Sequence, residues 1–280
     1  MDQIQQVLGP PKKQIQFNYR PLFVFIHFIM FTVYLLTKDS YFYQSFYSPT
    51  PFFFYGLLIV YMIMIRFYSK ACCDPGFAAD ESDAEKVEDE ANLDPNRFFC
   101  KYCKIYVPIR ASHCSMCKKC VIRRDHHCPW TNNCIGRDNH FYFFIFVFLE
   151  FFSQSIPDSD AIYHFSRYIF YVKDHQHFCQ TIIPYLLLII ASTFGTFMAF
   201  RLAFSCIMVI THNLTTWEGL RRDRITYLKN LPYGYSPFDR GLINNIIEFC
   251  TMREKKMKWE IKQPNLLGFS QELTTFFSRK

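Results

Sequence analysis

"DHHCPWTNNC", residues 125–134, sets an aspartate, two histidines and a cysteine in a row, with a further cysteine, Cys134, six positions after Cys128. Some of these side chains can hold a metal and some can react, and which do which decides how the chain is read. Seven of the 12 cysteines lie between Cys100 and Cys134. Cys100 and Cys103 form one C-x-x-C, Cys114 and Cys117 a second, and Cys117 and Cys120 a third that overlaps it, with His113, His126 and His127 close by. Two thiolates at that spacing can approach one tetrahedral zinc ion. So short and polar a block has too little apolar material for a core, and metal binding supplies the missing folding energy. Seven cysteines and three histidines are ten candidate ligands, two closed tetrahedral sites use eight, and two are left over. Spacing alone leaves the leftover pair open. It also fits one open catalytic zinc, or a cross-brace as in RING-type ubiquitin ligases, although a RING needs a later C-x-x-C that is absent after Cys134.

Outward from the block, the composition is that of a membrane protein: 280 residues, 50% hydrophobic and 19% aromatic with 33 Phe, and charges crowded into a few stretches. An apolar helix crosses the hydrocarbon layer in about 20 residues. Residues 21–37 and 40–65 carry no charge, 141–157 only Glu150, and 178–210 only Arg201. The pattern predicts four spans, the first retained because its N-terminal flank is polar and the run stays aromatic throughout. Glu150 and Arg201 fall at similar depth and are expected to interact, because a lone intramembrane charge is costly.

Twelve Lys/Arg lie in residues 66–140 and another 12 after His212, against one in 38–49 and two in 158–177. The positive-inside rule then places both termini and the central loop in the cytosol, where disulfides are rare and metal binding is the stronger reading of the cysteines. The net charge of +7 follows from this topology and needs no nucleic acid. The expected organisation is an N-terminal segment 1–20, spans one and two in 21–69, a linker 70–99 with the acidic run "DESDAEKVEDEANLD" (80–94), the Cys/His block 100–140, spans three and four in 141–210, and a C-terminal region 211–280.

Motifs at four places then converge. Cys100-x2-Cys103, "PIRASHC" (108–114), Cys117-x2-Cys120, "DHHCPW" (125–130), "NNCIG" (132–136), Asn139 and Phe143 together resemble the cysteine-rich domain of the DHHC protein S-acyltransferases. Asp74-Pro75-Gly76 resembles the family's DPG motif, Thr215-Thr216-Trp217-Glu218 its TTxE motif, and "SPFDRGLINN" with Asn245 its C-terminal motif. The resemblance covers about residues 20–250. It implies an all-α polytopic membrane protein of four transmembrane helices, with the zinc domain cytosolic between the second and third. It also implies two structural zinc ions, one held by Cys100, Cys103, His113 and Cys120, the other by Cys114, Cys117, His127 and Cys134.

The leftovers are then His126 and Cys128. In the implied reaction Cys128 attacks a long-chain acyl-CoA such as palmitoyl-CoA, His126 raises its thiolate fraction, and Asp125 orients His126. The acyl group then passes to a cysteine of a protein substrate at the membrane surface. Trp130, Arg123 and Arg124 beside the centre are the candidate contacts for CoA. The chain is expected at endomembranes, endoplasmic reticulum or Golgi, or at the plasma membrane. Its acyl tail is expected to reach the third span near Phe151, Phe152 and Ser153. A membrane-anchored zinc scaffold or an inactive family member is the alternative function class.

Overall fold

The computed structural model describes residues 18–36, 44, 52–78, 97–171, 178–232, 234–254, 259 and 261. The acidic run 80–94, residues 1–17 and residues 262–280 lie outside them. Four long helices carry the apolar runs: α1 (Arg20–Leu36), α2 (Phe52–Ala71), α3 (His140–Tyr171) and α4 (Phe178–His212). Between α2 and α3 the Cys/His block folds into three antiparallel hairpins, β1 (Arg97–Cys100) with β2 (Ile105–Pro108), β3 (Ser112–Cys114) with β4 (Lys119–Val121), and β5 (His126–Cys128) with β6 (Asn133–Ile135). After α4 come the short α5 (Thr216–Leu220), a 3-10 turn (Arg222–Arg224) and α6 (Leu242–Thr251).

The molecule is therefore mostly helical, and the all-α expectation is corrected only in the cysteine-rich block. Its C-x-x-C turns sit at hairpin ends, where Lys104 (φ 59°) and Lys118 (φ 55°) enter the left-handed region to reverse the chain. Two helices, α3 over His140–Phe170 and α4 over Tyr185–His212, are long and apolar enough to cross a membrane. α1 packs on α4, and α3 packs on both α2 and α4.

Two sequence expectations fail here for non-local reasons. The third apolar run was expected to end at Pro157, but α3 continues to Tyr171. Proline removes one helical hydrogen bond, yet the following turn is fixed from outside. Asp158 accepts the Ser192 and Thr193 hydroxyls at 2.8 Å each, and Asp160 accepts the Tyr34 hydroxyl at 2.6 Å. Ala161 adds apolar packing with Tyr34, Leu57, Tyr185 and Leu188.

The expected Glu150–Arg201 pair does not form. Glu150 instead meets His27 of α1, with Nε2 to Oε1 at 2.6 Å, and accepts the Gln154 amide at 3.0 Å. Arg201 lies on an exposed face of α4. Equal depth does not mean the same face, and a histidine from a third helix is nearer.

The hairpin block is tied to α2 at that helix's C-terminus. The last carbonyls of a helix lack intrahelical partners. Here Asn139 Nδ2 donates to the Ala71 carbonyl at 2.8 Å, and Asn133 Nδ2 donates to those of Cys73 at 2.6 Å and Cys72 at 3.3 Å. Beyond them Asp74 Oδ1 accepts the Gly76 and Phe77 amides at 2.9 and 3.2 Å, an Asx turn. Gly76 has φ +90°, and a β-carbon there would stand 2.9 Å from Asp138 Oδ2. Only glycine suits that position.

Candidate active site and metal-binding clusters

The eight expected ligands fall into two groups. Cys100, Cys103, His113 and Cys120 converge in one, and Cys114, Cys117, His127 and Cys134 in the other, with the ligand atoms of each within 4.8 Å of one another. A tetrahedral zinc ion with bonds of about 2.3 Å to sulfur and about 2.0 Å to nitrogen places neighbouring ligand atoms roughly 3.5–3.8 Å apart. In the first group His113 Nδ1 stands 3.8, 3.3 and 4.0 Å from the sulfurs of Cys100, Cys103 and Cys120. In the second, His127 Nδ1 stands 3.7, 3.3 and 3.8 Å from those of Cys114, Cys117 and Cys134. Both donor sets fit a closed Cys3His site.

Strand alternation does the sorting. Successive side chains of a strand point to opposite faces. In β3, His113 joins the first group while its neighbour Cys114 joins the second. In β5, His127 faces the second group together with its cross-strand partner Cys134. His126 and Cys128, two residues apart, therefore share the other face.

That face carries the reactive constellation. His126 Nδ1 donates to Asp125 Oδ2 at 2.7 Å, which leaves Nε2 for the Cys128 sulfur. The other oxygen of the buried Asp125 accepts the Thr216 backbone N–H at 2.5 Å. Burial pulls the His126 imidazole down, but the hydrogen bonds and charges of Asp125 and Cys128 outweigh it and raise its pKa to about 9. Burial pushes the Cys128 thiol up, and the His126 hydrogen bond and charge bring it below its ordinary value. Each group thus favours the charged form of the other, the imidazolium beside the thiolate. Cys128 is only 3% exposed and packs with Ala71, Phe143, Phe146 and Cys206, so its apolar side faces the helices.

Thr216 is placed by the fold of α5. Thr215 caps this helix, its Oγ1 accepting the Glu218 N–H at 3.2 Å while Glu218 Oε2 accepts the Thr215 N–H at 2.8 Å, a capping box. Glu218 also grips the buried Arg110 guanidinium through two bonds of 2.9 and 2.8 Å. Arg110 and Arg123 both reach Asn213 Oδ1 at 3.1 Å, and Asn213 Nδ2 donates to Glu248 at 3.0 Å. The TTxE motif thus joins the first hairpins, the end of α4 and α6 behind Asp125. Asn245 closes the same joint by donating to the Thr211 carbonyl at 2.9 Å.

A family model, DHHC palmitoyltransferase, matches residues 94–223. Palmitoyltransferase ZDHHC12-A of Danio rerio is 32% identical over 203 residues, 69% of this chain and 74% of the relative. Palmitoyltransferase ZDHHC12 of Homo sapiens is 31% identical over 199 residues, 69% of this chain and 72% of that one. The chain belongs to the DHHC palmitoyltransferase family. Membership makes it a protein S-palmitoyltransferase, a membrane enzyme rather than a bare zinc scaffold. The putative ZDHHC-type palmitoyltransferase 7 of Dictyostelium discoideum is 32% identical over 166 residues, 59% of this chain and 37% of its own length.

Within this DHHC domain the residues expected to contact CoA separate. Trp130 is 39% exposed and packs beside Tyr19 and Phe23. Arg124 is half-buried. Arg123 is 1% exposed, with its guanidinium on Asn213 and His140. A phosphate could reach Arg123 only by displacing these partners. Sequence reasoning missed the roles of Arg110 and Asn213, which serve the joint, and of Asn133, which accepts the Cys134 N–H at 2.9 Å and ties β6 to the end of α2. It also missed a repeat. Cys100 and Cys114, Cys103 and Cys117, His113 and His127, and Cys120 and Cys134 are each 14 positions apart. In that register Asp125 and His126 correspond to Ala111 and Ser112 of the first unit, which carry no such chemistry.

Proposed function

We propose that the chain transfers a long-chain acyl group, palmitoyl by preference, from acyl-CoA to cysteines of membrane-associated proteins through an acyl-enzyme on Cys128. One observation carries this reading. His126 bridges Asp125 and Cys128 on the strand face opposite the second cluster, so the nucleophile is outside both ligand sets. Cys128 attacks the thioester carbonyl of acyl-CoA, and CoA leaves as a thiol after taking a proton from His126. An incoming substrate thiol gives its proton to His126, attacks the acyl-enzyme, and releases Cys128. Asp125, held by His126 and by the Thr216 amide, keeps the imidazole oriented through both halves.

Two zinc ions, one in each Cys3His cluster, hold the hairpins in place. With four protein ligands each, they leave no coordination position for substrate. The four helices α1–α4 are read as four spans with both termini and the hairpin block cytosolic, a reading supported by the Lys/Arg asymmetry. An endomembrane or plasma-membrane site follows from family resemblance. Arg124 and Trp130 are the better placed of the CoA contacts, and the acyl chain lies among the helices above Cys128.

The test compares single variants of the purified protein. Cys128→Ser should keep two zinc ions per chain by mass spectrometry and lose hydroxylamine-sensitive labelling by a palmitoyl-CoA analogue. Cys114→Ser should lose metal, fold and labelling together. Zinc loss in Cys128→Ser, or full labelling without Cys128, would overturn the assignment.

A further inference from the structure

The end of α2 places a second thiol beside the reactive one. Cys72 and the Cys128 loop are fastened to each other: the Cys72 carbonyl accepts Asn133 Nδ2 at 3.3 Å and Arg20 Nη2 at 3.4 Å, and Arg20 Nε donates to the Thr131 carbonyl. Tyr68, one helical turn before Cys72, donates its hydroxyl to the Trp130 carbonyl at 2.9 Å and contacts the Cys72 sulfur. Asn133 is the cross-strand partner of Cys128, so its bonds to the Cys72 and Cys73 carbonyls set the end of α2 against the strand that carries the reactive thiol.

Cys72 also lines an open groove between α1 and α2, of about 740 Å³, whose walls are Pro21, Val24, Phe25 and Phe28. That volume is in the range of small-molecule pockets, about 300–1,000 Å³, and its lining is apolar enough for an acyl chain. Cys73, the next residue, is an internal contrast. It is exposed, lies off the groove, and its thiol donates back to the Ser69 carbonyl at 3.3 Å.

We propose that Cys72 is a second acylation site, loaded in cis from the Cys128 acyl-enzyme, with its acyl chain lying in the α1–α2 groove. The step is thioester exchange. The Cys72 sulfur, on losing its proton, attacks the carbonyl carbon of the Cys128 thioester. The bond from that carbon to the Cys128 sulfur breaks, and Cys128 leaves as a thiolate. The proton passes to the Cys128–His126 pair, so no oxidant, reductant or further reactant is consumed. A thioester replaces a thioester, and burial of the chain in the groove decides the position of the equilibrium. The acylated groove would then be a resident feature of the enzyme, leaving Cys128 free for the next turnover.

This inference rests on the Cys128 acyl-enzyme, and the experiment separates the two. Full-length protein is incubated with palmitoyl-CoA, and hydroxylamine-labile acyl groups are counted by intact mass and mapped by peptide. The wild type should reach two groups, on Cys128 and Cys72. Cys72→Ala should retain one, on Cys128. Cys73→Ala should retain two, and Cys128→Ala none. A wild type that stops at one group on Cys128 overturns the second site and leaves the enzyme reading intact. Acyl on Cys72 in Cys128→Ala overturns transfer from Cys128. Absence of acyl on Cys128 under every condition overturns both readings. Wild-type mapping decides the question even where a Cys72 variant misfolds.

Discussion

Asp125 and Thr216 are 91 residues apart in the chain, yet the Thr216 backbone N–H lies 2.5 Å from Asp125 Oδ1. The aspartate beside the candidate base is thus positioned from the far side of the two long helices, by the first turn of α5. A carboxylate at a helix N-terminus is favoured by the unpaired amides there.

Asp125→Asn should therefore damage chemistry rather than fold. An asparagine keeps the shape, but can present its amide N–H to His126 and favour the wrong tautomer. Self-acylation by palmitoyl-CoA should fall on the order of 100-fold, within the usual range for general acid–base groups. Zinc content and melting temperature should stay close to wild type. An unchanged rate would remove Asp125 from the site.

The shifts at Cys128 and His126 set a pH window. The Cys128 pKa is lowered by the His126 hydrogen bond and charge, so the thiolate persists to lower pH than in an unperturbed cysteine. The His126 pKa is raised to about 9, so the imidazolium persists to that pH. The charged pair exists above the first value and below the second. Alkylation of Cys128 by a neutral electrophile should titrate with a midpoint below that of an unperturbed cysteine, and His126→Ala should move that midpoint upward. Identical midpoints in the two proteins would refute the pairing.

The buried Arg110–Glu218 pair, with side chains 0% and 1% exposed, predicts a stability effect. Removing one partner strands the other charge in the interior, which costs about 3–5 kcal/mol. Glu218→Ala should lower the melting temperature of the detergent-solubilised protein by several degrees, and should also slow acylation because α5 no longer presents Thr216 to Asp125. A stable, fully active Glu218→Ala would show that the joint is dispensable.

His27 and Glu150 should couple, and Glu150 and Arg201 should not. In double-mutant cycles on detergent stability, His27→Ala with Glu150→Gln should lose less than the sum of the singles, because Gln needs no charge partner. Glu150→Gln with Arg201→Met should be additive within about 0.5 kcal/mol. The opposite pattern would restore the pairing expected from depth alone.

Ser153 tests the acyl path. It is 1% exposed, donating to the Glu150 carbonyl at 3.0 Å and resting 3.6 Å from the Met64 sulfur. Ser153→Phe should crowd the interior and shift the acyl-length profile toward shorter chains, measured by competition between acyl-CoAs. An unchanged profile would place the chain elsewhere.

What the sequence made legible was local. The bounds of α1 and α4 fall within a few residues of the apolar runs, because a long uncharged run allows few other structures. The ligand types were legible from C-x-x-C spacing. The period-2 alternation of "HHC", with His127 and His126 on opposite faces, and the 14-residue repeat were also present to be read. What stayed hidden depends on contacts far apart in the chain. α3 passes Pro157 because Ser192, Thr193 and Tyr34 hold the next turn. Arg123 is buried because Asn213, 90 residues later, accepts its guanidinium. Glu150 chooses His27 for the face it presents, and depth gave no information about faces.

The asparagine clamps on α2 have a mechanical consequence. Asn133 is the β6 residue paired with Cys128 of β5, and Asn139 is the residue before α3 begins, yet Asn139 holds the last carbonyl of α2 and Asn133 those of Cys72 and Cys73 just past it. The hairpin carrying Cys128 cannot slide along that helix without breaking these bonds. If α2 spans the bilayer as proposed, a change in bilayer thickness that tilts it would carry the clamped hairpin and Cys128 with it, and the lipid surroundings would become an input to the position of that sulfur.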